Sequence, residues 1–195
     1  MGNGASLTVV GQLRIISGKW ARRRLKLAQA VDAGITRPTG DRVREALFSA
    51  LGFEIEGARI LDLYAGSGAL GLEALSRGAK SAVFCEKNAS CTEQLAKNIK
   101  ILGAQGECEI HSHDAFTWLA RYGGAPFDVI FLDPPYDTNL TTEMWSLVEQ
   151  HLGSDGLVVF ERQKKTINVC PVAFEVVWER IYGNTRMLWM RKDNQ

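Results

Sequence analysis

The sequence predicts an α/β fold built on a mostly parallel, seven-stranded sheet that ends in an antiparallel hairpin. Three observations carry that reading. Short apolar runs alternate with helix-length amphipathic stretches from Gly57 to Phe160, which implies parallel strands covered by helices on both faces. Beyond Phe160 the alternation stops, and two β-rich runs flank Tyr182-Gly183-Asn184-Thr185, a hairpin signal. Ahead of Gly57, a second, smaller β-hairpin and a helix form an N-terminal extension.

Taken in order, residues 12–16 read as a strand, 22–28 as its partner, and Ser17-Gly18-Lys19 as the turn between them. Residues 42–51 read as a helix with Thr39 or Asp41 as N-cap and Gly52 past its end. Val43, Ala46, Leu47 and Ala50 fall on one face of it. Strands follow at 59–64, 81–85, 108–111, 127–132 and 156–160. The helices between them run from the Gly-rich segment to about residue 77, then over 89–102, 115–122 and 141–152. Strands at 174–180 and 186–190 complete the sheet. The expected organisation is a flexible leader over 1–11, a basic hairpin-and-helix extension over 12–52, and a body over 53–195.

A chain of 195 residues with 46% hydrophobic and 23% charged content suits one globular domain, which excludes a disordered or fibrous protein. No apolar run approaches the length of a membrane span. Cys85, Cys91, Cys108 and Cys170 form no CxxC pair, and without an apolar signal segment they read as reduced thiols in a cytoplasmic protein. The first six residues match a loose myristoylation pattern, for which a flexible leader is the better reading.

The near-neutral total of 23 Lys+Arg against 22 Asp+Glu hides an asymmetry. Residues 1–50 hold nine basic and three acidic side chains, leaving the rest of the chain at −5. Arg14, Lys19, Arg22, Arg23, Arg24, Arg37 and Arg42 are therefore candidate contacts to nucleic-acid phosphates. A solvated surface hairpin is the plainer alternative. Trp20 either stacks on a base or packs on the body.

Gly66-Ser67-Gly68-Ala69-Leu70-Gly71 is a G-x-G-x-x-G loop between a strand and a helix, with Glu86 twenty residues beyond Gly66. Both features fit a dinucleotide site, with Glu86 accepting from ribose hydroxyls. Asp62, at the mouth of the loop, argues against a pyrophosphate, which it would repel. It suits a cationic amino group, as in the methionyl end of S-adenosylmethionine, or else caps the loop. Asp114 would accept from an adenine amine, with Ala115 supplying a backbone N–H, or cap the next helix. His111 and His113 have the spacing of a metal fragment but lack an evident third ligand, so no metal is expected.

Asp133-Pro134-Pro135-Tyr136 directly follows a strand. The prolines end the ladder and stiffen the backbone. Asp133 then offers a carboxylate, Pro134 a fixed carbonyl and Tyr136 an aromatic face. A nucleobase amine is a poor nucleophile because its lone pair is delocalised into the ring. Two acceptors, one for each N–H, would turn that lone pair toward an electrophilic methyl group.

Together, Leu61-Asp62-Leu63-Tyr64-Ala65-Gly66-Ser67-Gly68, Glu86, Asp114 and the tetrapeptide resemble the ordered motifs of Rossmann-like class I S-adenosylmethionine-dependent methyltransferases. Arg14-Ile15-Ile16, Thr36-Arg37-Pro38-Thr39 and residues 41–48 narrow the resemblance to the RsmD family, over nearly the whole chain. That resemblance implies S-adenosylmethionine as cofactor and the exocyclic N2 of a guanine in bacterial 16S ribosomal RNA as acceptor. It implies Asp133, Pro134 and Tyr136 as catalytic residues. Asp62, Tyr64, Gly66, Ser67, Gly68, Glu86, Lys87, Asp114 and Ala115 would bind the cofactor, and Thr36, Arg37 and Arg42 would lie near the substrate entrance. The chain departs from the family's common pattern at Ala21-Arg22, where Arg-Gly is usual, and at Ser49, where Asn is.

Partners implied are 16S RNA or a small-subunit assembly particle, with neither a membrane nor an obligate protein partner, and a monomer suffices. The tetrapeptide equally fits DNA adenine N6 or cytosine N4, although the chain leaves little room for a DNA-reading domain. An NAD-dependent oxidoreductase would share the glycine loop but leave the tetrapeptide unexplained. A catalytically silent RNA-binding protein would need only the basic arm.

Overall fold

A computed structural model of the chain describes residues 13–27, 40–135, 138–166 and 171–193. The elements are β1 (Leu13–Arg14), β2 (Arg24–Leu25), α1 (Asp41–Leu51), β3 (Arg59–Asp62), α2 (Ala69–Ser76), β4 (Ser81–Cys85), α3 (Ala89–Leu102), β5 (Cys108–His111), α4 (Ala115–Leu119), β6 (Phe127–Leu132), α5 (Thr142–His151), β7 (Leu152–Gln163), β8 (Phe174–Tyr182) and β9 (Thr185–Lys192). β1 and β2 form a small antiparallel pair, and the other strands form one sheet in the order β5-β4-β3-β6-β7-β9-β8. Neighbours from β5 to β7 are parallel, while β9 is antiparallel to both β7 and β8. No helix among the described residues is long and apolar enough to cross a membrane.

The period-2 alternation divides the sheet's side chains into two cores. Ile60, Phe84, Phe131, Val159 and Trp189 face α1, α2 and α3. Leu61, Cys85, Leu132, Phe160 and Met190 face α4 and α5. Helix ends follow local chemistry. The Asn88 side chain caps α3 by accepting from the Cys91 N–H at 3.2 Å, and Thr141 caps α5 by accepting from Met144.

Three expectations are corrected. The N-cap of α1 is Gly40, with no side-chain cap, because the Asp41 carboxylate is committed to Arg14 and Arg44; Thr39 lies outside the described residues. The buried face of α1 is Arg44, Leu47, Phe48 and Leu51, while Ala50 is exposed. Arg44 turns inward, donating to the Arg14 carbonyl at 2.6 Å and to Asp41 at 2.9 Å. An arginine in the core phase had disguised that phase. β7 also runs beyond its expected end to Gln163, because β9 pairs with it as far as Gln163 opposite Thr185. At its start, a register shift separates Leu152 from Leu157.

The basic arm is packed into the body. Leu13, Ile15 and Leu25 belong to the core that contains α2, and Trp20 packs against it. Helix α2 is buried from Leu70 to Ser76, with the sheet beneath and the hairpin above. Glu73, fully buried, accepts from the Ile16 and Ser17 N–H groups at 2.7 and 3.0 Å and from Arg77 at 2.7 Å. Ser76 donates to the Ser17 carbonyl and accepts from the Trp20 N–H. Gly18 lies so close to the Ser76 carbonyl that any Cβ would overlap it. Arg22 holds φ 69° and donates its N–H to the Ile15 carbonyl at 2.9 Å. The turn is thus kept with a residue that a left-handed backbone disfavours by about 1 kcal/mol.

Glu73→Ala is expected to lower stability by about 3 kcal/mol in urea denaturation, since it strips the partner from several buried donors at once. An effect below about 1 kcal/mol would mean that apolar contacts alone seat the hairpin.

Candidate functional site

The site lies where the sheet reverses its winding. The chain runs from β3 outward to β5 and then returns to the other side of β3 as β6, which opens a crevice at the strands' carboxyl ends. Asp62 closes β3, Glu86 follows β4, Asp114 follows β5 and Asp133 follows β6. The topology therefore gathers four predicted acids, distant in sequence, along one rim.

The glycine loop has separate reasons for its glycines. Gly66 and Gly68 take φ 53° and 82°, and Gly68 is the N-cap of α2. Gly71 is set by contact: a Cβ there would collide with the Phe84 ring, so it brings α2 against the sheet. With no side chain at the N-cap, Asp62 supplies the cap from β3, its Oδ2 accepting from the Gly71 N–H at 3.0 Å. Asp62 is 2% exposed. Burial pushes its carboxyl up to about 7, the Gly71 hydrogen bond opposes this, and Glu86 adds to it.

Glu86 ties the loop to the next helix. Its two oxygens accept from the Gly66 N–H at 2.9 Å and the Asn88 N–H at 2.8 Å. Asp114 caps α4, with Oδ1 accepting from the Thr117 N–H and hydroxyl. Tyr64 is half-buried beside these groups, and burial, then Asp114 and Cys85, push its hydroxyl up to about 12. Ser67 is buried, Ala115 is buried and Lys87 is exposed. His111 packs on Trp118 with ring centroids 4.9 Å apart.

Asp133 and Pro134 emerge at the end of β6, half-buried and buried respectively. Burial holds the Asp133 carboxyl well above the usual range, and Glu161 and Asp62 raise it further. Tyr136 lies outside the described residues, as do Thr36 and Arg37.

The basic residues lie along α2. The hairpin turn sits at the carboxyl end of that helix, by Ser76, while Lys26 reaches the glycine loop at its other end. These ends are separated by the helix length of about 12 Å. Arg14 pairs with Asp41 at 2.9 Å and Lys19 with Glu107 at 2.6 Å. Arg22, Arg23, Arg24 and Arg42 are exposed, and none of them forms an ion pair among the described residues.

Sequence reasoning missed several residues that organise the rim. Asn98 is fully buried; it donates to the Lys26 and Ser67 carbonyls and accepts from the Lys26 N–H, all at 3.0 Å. It thereby joins the hairpin to the glycine loop. Glu161 faces Asp133 from β7. Asn98 had a signal: it falls in the buried phase of α3 with Cys91, Leu95, Ile99 and Leu102. Glu161 had none, because it lies past the apolar run.

The donor set fits S-adenosylmethionine. Carboxylates stand at three adjacent strand ends as acceptors for amino and hydroxyl groups, and the loop backbone at Gly66 borders open space. This rim on this strand order defines the fold and site of a class I methyltransferase. Residues 13–191 match the model of the family described as Conserved hypothetical protein 95, and the chain belongs to that family. It is 36% identical to ribosomal RNA small subunit methyltransferase D of Escherichia coli, over 95% of this chain and 92% of that one. The corresponding protein of Haemophilus influenzae is 37% identical, covering 89% of this chain and 90% of its own. The solved structure of Escherichia coli YhhF, which carries the name of a methyltransferase, superposes with a TM-score of 0.81 at 34% identity, covering 95% of this chain and all of that one.

Near neutral pH, binding a ligand with an ammonium group at Asp62 is expected to release a fraction of a proton, because a nearby cation lowers a carboxyl whose value is about 7. Calorimetry with S-adenosylmethionine in buffers of different ionisation heat measures this release. Asp62→Asn should abolish it and weaken binding about tenfold or more. Identical heats in all buffers for the unaltered protein would place Asp62 outside the ligand's reach. The same shift carries a stability sign: the Asp62 contribution is largest in acid and is lost as pH rises through about 7.

Proposed function

We propose that this protein transfers the methyl group of S-adenosylmethionine to the exocyclic N2 of a guanine in 16S ribosomal RNA. The observation that carries the reading is the position of Asp133-Pro134 at the carboxyl end of β6, beside the glycine loop that leaves β3. The family relationship to ribosomal RNA small subunit methyltransferase D supports it. The protein acts as a cytoplasmic monomer on 16S RNA or on a small-subunit assembly particle.

When bound, S-adenosylmethionine supplies an electrophilic methyl on a sulfonium whose departure leaves a neutral thioether. The chain's task is positioning. The Asp133 carboxylate and the Pro134 carbonyl accept the two N–H groups of the amine, and Tyr136 stacks on the base. As the N–C bond forms and the S–C bond breaks, the surplus amine proton leaves by way of the Asp133 carboxylate to solvent. Rigid prolines keep these acceptors in place without reorganisation, and such alignment is worth several kcal/mol. Asp62, Glu86 and Asp114 hold the ammonium, ribose and adenine ends, with Tyr64 beside them. The loop at Gly66, Ser67 and Gly68 gives the ligand's carboxylate access to the amino end of α2. Lys87 and Ala115 border the ribose and adenine positions. Arg22, Arg23, Arg24, Arg37 and Arg42 hold the RNA, while Arg14 and Lys19 are engaged by Asp41 and Glu107.

Asp133 serves in its ionised form, since a protonated carboxyl presents a donor where an acceptor is needed. Burial, and then its neighbours Glu161 and Asp62, hold it protonated to higher pH than an ordinary carboxyl. Methyl transfer is therefore expected to rise with pH through a limb above the usual carboxylate range. Glu161→Gln should move that limb to lower pH. A pH profile unchanged by Glu161→Gln would remove Asp133 ionisation from the rate.

Labelled methyl transfer onto unmodified small ribosomal subunits, with nucleoside analysis, tests the whole reading. N2-methylguanosine is the expected product. Transfer to DNA adenine or cytosine instead, or NAD binding in place of S-adenosylmethionine, would overturn it. Asp133→Ala should lower the rate by about 100-fold or more with cofactor affinity retained. Equal loss of binding and rate would make Asp133 a structural group.

A further inference from the structure

Arg162 lies on β7 beside the prolines that follow β6. It stands two residues beyond the last β6–β7 pair, Leu132 opposite Phe160, and lines a shallow depression with Pro134, Pro135, Thr138 and Gln163. Its guanidinium lies 5.2 Å from the centroid of the Phe160 ring. Its Nε is buried without a hydrogen-bond partner. Across the β7–β9 ladder it faces Arg186. Arg186 is neutralised by Glu179 at 2.7 Å, whereas no carboxylate among the described residues pairs with Arg162. Burial, and then Arg186, lower its guanidinium from the usual value.

The unmet Nε and the facing Arg186 are unfavourable for the protein. Like charges directly opposite on adjacent strands destabilise a sheet, and an unmet buried donor costs about 1–3 kcal/mol. Both occur beside Pro134 at the rim that would receive the target base. Lys164 and Lys165 follow in an exposed turn and add positive charge. Arg162 shares its sheet face with Phe160, on the α4 and α5 side, whereas the N-terminal hairpin covers α2 on the opposite side.

We propose that Arg162, assisted by Lys164 and Lys165, forms a phosphate-binding subsite that holds the RNA backbone beside the target base. A guanidinium fork matches a phosphate's geometry, and a phosphate would satisfy the donors while relieving the Arg162–Arg186 repulsion. With the hairpin on the other face, the strand is gripped on both sides of the tetrapeptide. An enzyme that takes a base out of its stack needs the flanking backbone fixed in this way. The subsite rests on the RNA reading above, but it is tested by binding rather than by methyl transfer.

The test compares the unaltered protein, Arg162→Gln and Arg162→Lys for binding to unmethylated 16S ribosomal RNA over a salt series, alongside S-adenosylmethionine affinity and thermal midpoint. Arg162→Gln should weaken RNA binding about tenfold and reduce the slope of log affinity against log salt by about one. Arg162→Lys should restore the slope. S-adenosylmethionine affinity should not change in either variant, and the midpoint of Arg162→Gln should not fall, because a repulsive pair has been removed. An unchanged slope for Arg162→Gln, or a loss that Arg162→Lys leaves in place, would overturn the subsite and leave Arg162 as a cover for Phe160. Failure of the unaltered protein to methylate guanine, with the slope change intact, would instead overturn the proposed activity alone.

Discussion

The close approach of α2 to the sheet at Gly71 is the constraint from which the rest of the molecule follows. Any side chain at that position would push the helix off Phe84. With the helix seated, the Asp62 carboxylate reaches the Gly71 N–H and caps α2 from the neighbouring strand. The loop between them is then short enough to need left-handed backbone at Gly66 and Gly68. On its outer surface the same helix offers Glu73 and Ser76 to the hairpin amides. One helix therefore shapes the cofactor loop and supports the basic surface.

That arrangement explains how a chain of nearly balanced charge separates its charges. Acids are drawn inward to the carboxyl ends of the strands, where burial and then Glu161 and Asp62 raise the proton affinity of Asp133, and burial with Glu86 raises that of Asp62. Bases stay outside, on the hairpin and at the end of β7. The formal net charge of +1 describes neither surface.

Much of the body was legible in the sequence. The strands at 81–85, 108–111 and 127–132 and the helix at 89–102 have the expected bounds, because each is a clear apolar period closed by a polar cap or a glycine. Misreadings arose where a polar residue occupies a core position. Arg44 hid the buried face of α1, Asn98 on α3 was not picked out although it lies in the buried phase, and Glu73 gave no hint that its outer neighbour is a hairpin. Beyond Phe160, charged residues ended the apolar pattern although β9 continued the ladder, so the strand that holds Glu161 and Arg162 was read as too short.

By itself the sequence determined the α/β class, the order of the elements, the glycine loop, the Asp-Pro-Pro-Tyr stop and the acids at strand ends. Those features are local: they depend on periodicity, on backbone freedom and on which residues end a strand. Tertiary structure alone decided which charges are spent and which stay available. Asp41 serves Arg14 and Arg44 instead of a helix end, Lys19 goes to Glu107, and Arg162 meets another arginine. Such pairings join residues far apart in the chain, so their energies depend on distances and burial that only the folded chain creates.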